Sequence, residues 1–168
     1  MKIFFKLTII FLISLDLYSR EIGETEITTE DGIEVFQNEK FYLLKKNVNI
    51  VSDNLILSAD EVKINFDKSL YDITNLYAEG NVSFDSNEFE MSGNGKILNF
   101  NVKTEKLKVQ GKESELITKD IKMFSDGFIE VNNLNGDFSL KGSNSKLINE
   151  SIIIEAYSIN GNFVDVSN

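Results

Sequence analysis

Between Leu55 and Val102 the apolar residues recur at every second position, and twice the alternation changes phase. Leu55 and Leu57 are odd-numbered whereas Val62, Ile64 and Phe66 are even; then Phe89 and Met91 are odd whereas Leu98, Phe100 and Val102 are even. A period of two is the signature of a strand with one buried face. A phase slip within a flat strand would turn one of the two groups out to water. A bulge or bend near Ser58 to Asp60, and another across Ser92-Gly93-Asn94-Gly95, brings both groups back to the same side. The two bends are equivalent: Ser58 and Ser92, like Phe66 and Phe100, stand 34 positions apart, and Asn47-Val48 precedes Asn81-Val82 by the same interval. The chain therefore reads as a meander of long bent strands, repeated so that each buries its apolar face only against its neighbours.

The stretch Leu57 to Phe84 contains the whole unit. Val62, Ile64 and Phe66 share one face, while Glu61, Lys63, Asn65 and Asp67 point the other way. Leu76, Ala78, Val82 and Phe84, all at even positions, can pair back on them and bury the same face. Turns are expected at Asp53-Asn54, Asp67 to Ser69, Asp85 to Asn87 and Lys103-Thr104. Gly80-Asn81 reads by short-range rules as a hairpin turn, and by the alternation on either side as an interruption within one long strand. Upstream, Glu24 to Glu30 and Ile33 to Val35 read as short strands, followed by the apolar runs Phe41 to Leu44 and Asn47 to Val51. Beyond Gly111 the rhythm continues less regularly, with Gly127, Gly136 and Gly142 at the expected breaks. A 3.6-residue period is nowhere sustained after the first 20 residues, so the predicted class is all-β, of ten to twelve strands in one domain. The first and last strands of such a stack lack partners and are open to edge pairing.

Composition removes most routes to catalysis. The 168 residues include no Cys and no His, and hence no thiol or imidazole nucleophile, base or metal ligand. Asp60 and Glu61 are adjacent on a strand and point to opposite faces, and Glu88 and Glu90 share an exposed face, so neither pair suits the acid and base roles of a glycosidase. The acidic run Glu24 to Asp31 lacks the spacing of a calcium loop. No catalytic residue, metal site or cofactor is expected.

The first residues point to export. Lys2 and Lys6 form a basic start, and Leu7 to Leu15 an apolar run of signal-peptide length that Asp16 ends. A membrane anchor would want roughly 20 apolar residues. The expected organisation is a signal peptide at 1–19, cut after Ser19, one domain at 20–163 and a tail at 164–168. Of 17 basic and 27 acidic residues, the segment 1–19 holds two and one, so the remainder carries a net charge of −11. A nucleic-acid surface needs a basic stripe, which this balance does not provide. The lysines at 45–46 and 103–112 read as the solvated face of strands.

The segments Leu57-Ser-Ala-Asp60, Ala78-Glu-Gly-Asn-Val82 and Leu107-Lys-Val-Gln-Gly111, in that order behind a signal-like start, resemble the LptA/OstA-like (organic solvent tolerance-like) family of periplasmic lipopolysaccharide-transport proteins. The resemblance covers roughly Ile27 to Gly111. It departs in the second copy, where Gly93-Asn94 stands for the expected Ala-Asp. It favours the interrupted strand at Gly80-Asn81. It implies an open, V-shaped β-jellyroll whose apolar groove shields the acyl chains of lipid A on the way from the inner to the outer membrane. It further implies head-to-tail homo-oligomers through strand edges, and other Lpt-type proteins at both membranes as partners. The groove would be lined by Ile50, Leu57, Val62, Ile64, Phe66, Val82, Phe84, Phe89, Met91, Leu98, Phe100 and Val109. From the residues alone the same face is equally the core of a closed sandwich. Two alternatives remain: an LptC-like member of the pathway anchored in the inner membrane, and a structural β-repeat protein that binds no lipid.

Overall fold

Twelve antiparallel strands account for nearly all of the computed structural model, which describes residues 21–163. The predicted signal segment 1–19 and tail 164–168 lie outside the described residues. The strands are β1 (Glu26–Thr28), β2 (Ile33–Phe36), β3 (Phe41–Val51), β4 (Leu55–Phe66), β5 (Ile73–Ser86), β6 (Met91–Asn101), β7 (Lys106–Gln110), β8 (Ser114–Thr118), β9 (Ile121–Ser125), β10 (Phe128–Asn132), β11 (Asp137–Asn149) and β12 (Ile152–Asn162). Among the described residues there is no helix.

The long strands β3 to β6 form a meander, each paired with the next along its length. The far edge of β6 is then shared: Met91–Asn94 pair with β8, and Ile97–Asn101 pair with β7. β11 divides in the same way, Phe128–Val131 of β10 pairing with Phe138–Lys141 and β9 pairing with Lys146–Asn149. β7 pairs with β10 and β8 with β9. One end of every long strand thus belongs to one sheet and the other end to a second, facing sheet. β1 and β2 flank β3 at one extremity, and β12 covers β11 at the other.

The bends lie where the sequence places them, and each has a local cause. In β4 the alternation slips at Asp60 and Glu61, which both face outward between buried Ala59 and buried Val62. On either side of Asp60 the neighbouring strand inserts one extra residue: Lys46-Asn47 in β3 and Gly80-Asn81 in β5, all four in the left-handed region. Asn tolerates that region and Gly enters it freely, which is why these residue types recur there. Gly80-Asn81 is therefore an interruption inside β5 and not a hairpin turn. Asn81 Nδ2 donates to both Asp60 carboxylate oxygens, at 3.1 and 2.9 Å, and ties the two strands together at the bend. The same arrangement returns in the second half. β11 bulges over Gly142 to Asn144, and Asn144 donates from its backbone N and its Nδ2 to the two oxygens of Asp126, each at 3.1 Å. Beneath it three serines are buried and satisfied: Ser114 Oγ donates to the Gly111 carbonyl, Ser125 Oγ to that of Lys141 and Ser145 Oγ to that of Gly142.

Several local expectations are corrected. Asp85 continues β5, and the turn follows at residues 87–90, because Asp85 and Ser86 still pair with Ser92 and Met91. Phe89 consequently sits in that turn and not on a strand. Val102, expected inward, is 41% exposed in the turn after β6. Gly142 lies inside β11, where the bulge takes up the irregularity without ending the strand. The lysines behave as solvated side chains: Lys45 meets Glu34 at 3.2 Å, Lys46 meets Asp31 at 3.2 Å and Lys106 meets Glu130 at 2.8 Å.

The two inner faces share one core. The cross-strand partners Val62 and Ala78, Leu44 and Val62, and Leu98 and Val109 are all buried, and Leu116, Met123, Leu140 and Leu147 carry the core into the second half. At about 25 cal/mol per Å² of apolar area removed from water, this contiguous cluster is what holds the two sheets face to face.

Candidate functional site

Bending every long strand at its middle has a geometric result. The bends form a spine along one side of the molecule, where Gly111 N also donates to the Gly127 carbonyl at 3.1 Å. The turns at the strand ends gather on the opposite side as two lips. One lip consists of the turns at 52–54, 87–90, 119–120 and 150–151; the other consists of those at 37–40, 67–72, 102–105 and 133–136, together with Phe163. Each lip is strung together by its own hydrogen bonds. Asn87 N donates to Asn54 O at 3.0 Å on the first, and Asn133 N donates to Glu105 O at 3.1 Å on the second.

Between the lips lies a slot with two connected parts. The inner part is a cavity of about 130 Å³ with almost wholly apolar walls, made by Leu57, Leu76, Phe84, Phe89, Met91, Leu98, Phe100 and Leu107, with Asn54, Glu88 and Asn133 at its rim. The outer part is a more open cleft of about 790 Å³ with mixed polar and apolar walls, which shares Phe89, Met91 and Asn133 with the cavity and is edged by Glu90, Lys119, Asp120 and Glu150. Phe89, on the first lip, tilts against Phe100, in β6 two residues before the second lip's turn at 102–105, with ring centroids 5.6 Å apart. Farther along the second lip, Tyr42 stacks on Phe66 at 6.0 Å and donates its hydroxyl to the Leu70 carbonyl at 3.4 Å; burial pushes its phenol above the usual tyrosine value.

The twelve predicted groove residues divide into two groups. Leu57, Phe84, Phe89, Met91, Leu98 and Phe100 line the cavity. Ile50, Val62, Ile64, Phe66, Val82 and Val109 are buried in the core without reaching it. Val62, Val82 and Val109 pack close to the spine, while Ile50, Ile64 and Phe66 pack towards the strand ends away from the cavity, so the interior is open only where the cavity lies. Three further wall residues were within reach of the same alternation: Leu55 and Leu76 lie in phase with Leu57 and Ala78, and Leu107 with Val109. Asn133 carried no sequence signal at all, being one polar residue in an Asn-rich turn.

The apolar face also runs out at both extremities of the stack. On β2, Ile33 and Val35 pair with Leu44 and Tyr42 and face inward, yet are 50% and 54% exposed. On β12, Ile152 and Ile154 share the inner face with Leu147 and are 59% and 42% exposed. Beyond β12 no strand pairs among the described residues.

A family model described as "LptA/(LptD N-terminal domain) LPS transport protein" matches residues 29–127. The chain belongs to that family. The span matched by the LptA/LptD N-terminal model includes all twelve predicted groove residues and stops short of Asn133. Among solved structures, the chain resembles the crystal structure of LptH, the LptA-homologous periplasmic component of the lipopolysaccharide transport device of Pseudomonas aeruginosa. The TM-score is 0.55 at 10% identity, over 66% of this chain and 76% of LptH. At that identity the likeness is one of fold, the LptA-like β-jellyroll. No curated protein matches the sequence.

Proposed function

We propose that this LptA/LptD N-terminal family member is a periplasmic carrier of lipopolysaccharide. In this reading it holds lipid A acyl chains between its two sheets during passage from the inner to the outer membrane. The observation that carries the reading is the apolar cavity in the slot, together with an inner face that stays apolar and exposed at both extremities. Each methylene moved from water into such a surface gains about 0.8 kcal/mol, so a chain can be held and passed on without any catalytic group or nucleotide in this subunit. Stacking head to tail, with β12 adding to the β1–β2 end of a second copy or of another Lpt-type protein, would extend the apolar strip from one molecule to the next. The acidic edge of the cleft, with Glu90, Asp120 and Glu150 against Lys119, suits an arrangement in which the anionic headgroup stays outside in water.

Photo-crosslinking tests the reading. A benzophenone side chain placed at Leu98 on the inner face should capture lipid A, and one placed at Ile56 on the outer face should not. Equal capture from both positions, or none from Leu98, would sink it. A structural β-repeat protein without lipid is the second reading, and the side chains packed behind the slot are the observation in its favour. It requires that the slot remain shut to lipid, and therefore that Leu98 capture nothing.

A further inference from the structure

Asn133 stands where the apolar cavity meets the more open, charge-edged cleft, and it lines both. Its backbone is fixed: the N–H donates to the Glu105 carbonyl at 3.1 Å, and the neighbouring Asn132 carbonyl and side chain close the turn by accepting from Gly136 N and Leu134 N. Its side chain is not provided for. Nδ2 is buried and has no hydrogen-bond partner, and it is the one such side-chain atom among the described residues. Buried amide donors are nearly always satisfied, because removal from water without replacement of the lost hydrogen bond is costly. An unpaired donor at the entrance of an apolar cavity therefore describes the chemistry of what belongs beside it: a hydrogen-bond acceptor attached to an apolar chain.

We propose that Asn133 is a specificity residue that donates from Nδ2 to the carbonyl oxygen of an ester or amide linkage, with the first methylenes of the attached acyl chain occupying the cavity. This rests on the lipid-carrier reading of the slot and adds to it a point of chemical recognition. The acceptor is neutral. Glu88 on the cavity rim and Glu90, Asp120 and Glu150 around the cleft place negative charge about the entrance, which disfavours a free carboxylate or phosphate at the same point. An engineered apolar cavity of roughly 150 Å³ takes a benzene-sized guest. The cavity here, at about 130 Å³, accordingly takes a short segment of chain, and a longer one requires Phe89 to swing aside. The sequence order of groups in an acylated amphiphile, polar head, then carbonyl, then chain, matches the spatial order of cleft, Asn133 and cavity.

Competition against the fluorescent probe 1-N-phenylnaphthylamine, with the full chain as exported, tests this with methyl laurate, tridecane and lipid A as competitors. Asn133→Leu should lower the preference for methyl laurate over tridecane by about fivefold, the worth of one neutral hydrogen bond. Asn133→Asp replaces the donor by an acceptor at nearly constant volume and should have the same effect, which keeps the test available if one variant folds poorly. If both variants keep the wild-type ester preference, Nδ2 is served by a water and the inference is wrong while the carrier reading stands. If neither the two small probes nor lipid A displaces the dye from the wild type, the carrier reading fails and the inference goes with it.

Discussion

Phe89, from the turn at 87–90, and Phe100, from β6, meet at 59° between ring planes and together form part of the wall of the apolar cavity. Phe89 is only half-buried and is carried by a four-residue turn, whereas Phe100 is fixed in β6 between Leu76 and Leu107. The turn side of the pair is the side that can move. Phe89→Ala should therefore speed entry of 1-N-phenylnaphthylamine and raise its fluorescence plateau. The stability cost should be about 2 kcal/mol, below the roughly 3–5 kcal/mol of a fully buried Phe→Ala. Stopped-flow fluorescence and urea unfolding measure the two effects, and unchanged entry would show that the slot opens elsewhere.

The spine makes a different demand. A Cβ added at Gly80 would fall on the Asp60 carboxylate, and the backbone there has φ +78°. Gly80→Ala should cost about 1–2 kcal/mol for the left-handed backbone alone, with a further loss from displacing Asp60 away from Asn81. Asp60→Gly in the Gly80→Ala background should recover the steric part and not the backbone part. Urea midpoints of the two single variants and the double variant separate them, and full additivity would count against the contact.

Asp67 and Lys40 join two turns of the second lip by a 2.9 Å ion pair, both side chains about half exposed. The hydrogen bond and charge of Lys40 hold the Asp67 carboxyl below its ordinary value of 3.8. A folded-state value below the unfolded one means that the pair stabilises above the ordinary carboxylate range and that its contribution is lost as pH falls through the lowered value. Carboxyl-carbon NMR should show Asp67 titrating below 3.8 in the wild type, with the midpoint rising towards that value in Lys40→Met. An unmoved midpoint would remove Lys40 as the cause.

Ile154 places an exposed apolar side chain on the inner face of the unpaired edge strand β12. If copies associate through this edge, Ile154→Lys should shift sedimentation towards the monomer, because a buried lysine at a strand junction costs both packing and desolvation. Ile153→Lys, on the outer face of the same strand, should do less. Equal effects would point to charge and not to the continuity of the inner face.

The bends were legible because burial acts on every residue of a strand. Once Leu57 and Val62 must face the same way, the slip between them has to be absorbed near Asp60, whatever the rest of the chain does. The short strands β7 to β10 were legible as apolar runs but not as a divided partnership. That β6 pairs with β8 through Met91 and with β7 through Phe100 depends on contacts between sheets that leave no periodicity in either segment. The groove residues were recognised as inward, and sequence could not rank them: Leu57 and Val62 follow the same alternation, yet one borders a void and the other does not. Asn133 was invisible because its importance comes from lacking a partner, and a missing contact has no sequence pattern.

The left-handed pair at Lys46-Asn47 recurs at Gly80-Asn81, and the phase slip of β4 recurs in β6, so strands of two kinds take turns. Insertion or deletion of a single strand would set two strands of one kind side by side, reverse the direction of everything downstream and bring two inserted residues, or none, against each other at the bend. The increment that preserves the alternation is a hairpin, which between Ser58 and Ser92 takes 34 residues. Adding or removing a whole hairpin keeps the bends of neighbouring strands matched, whereas the width of the slot, set by how far each strand runs on either side of its bend, can change one residue pair at a time.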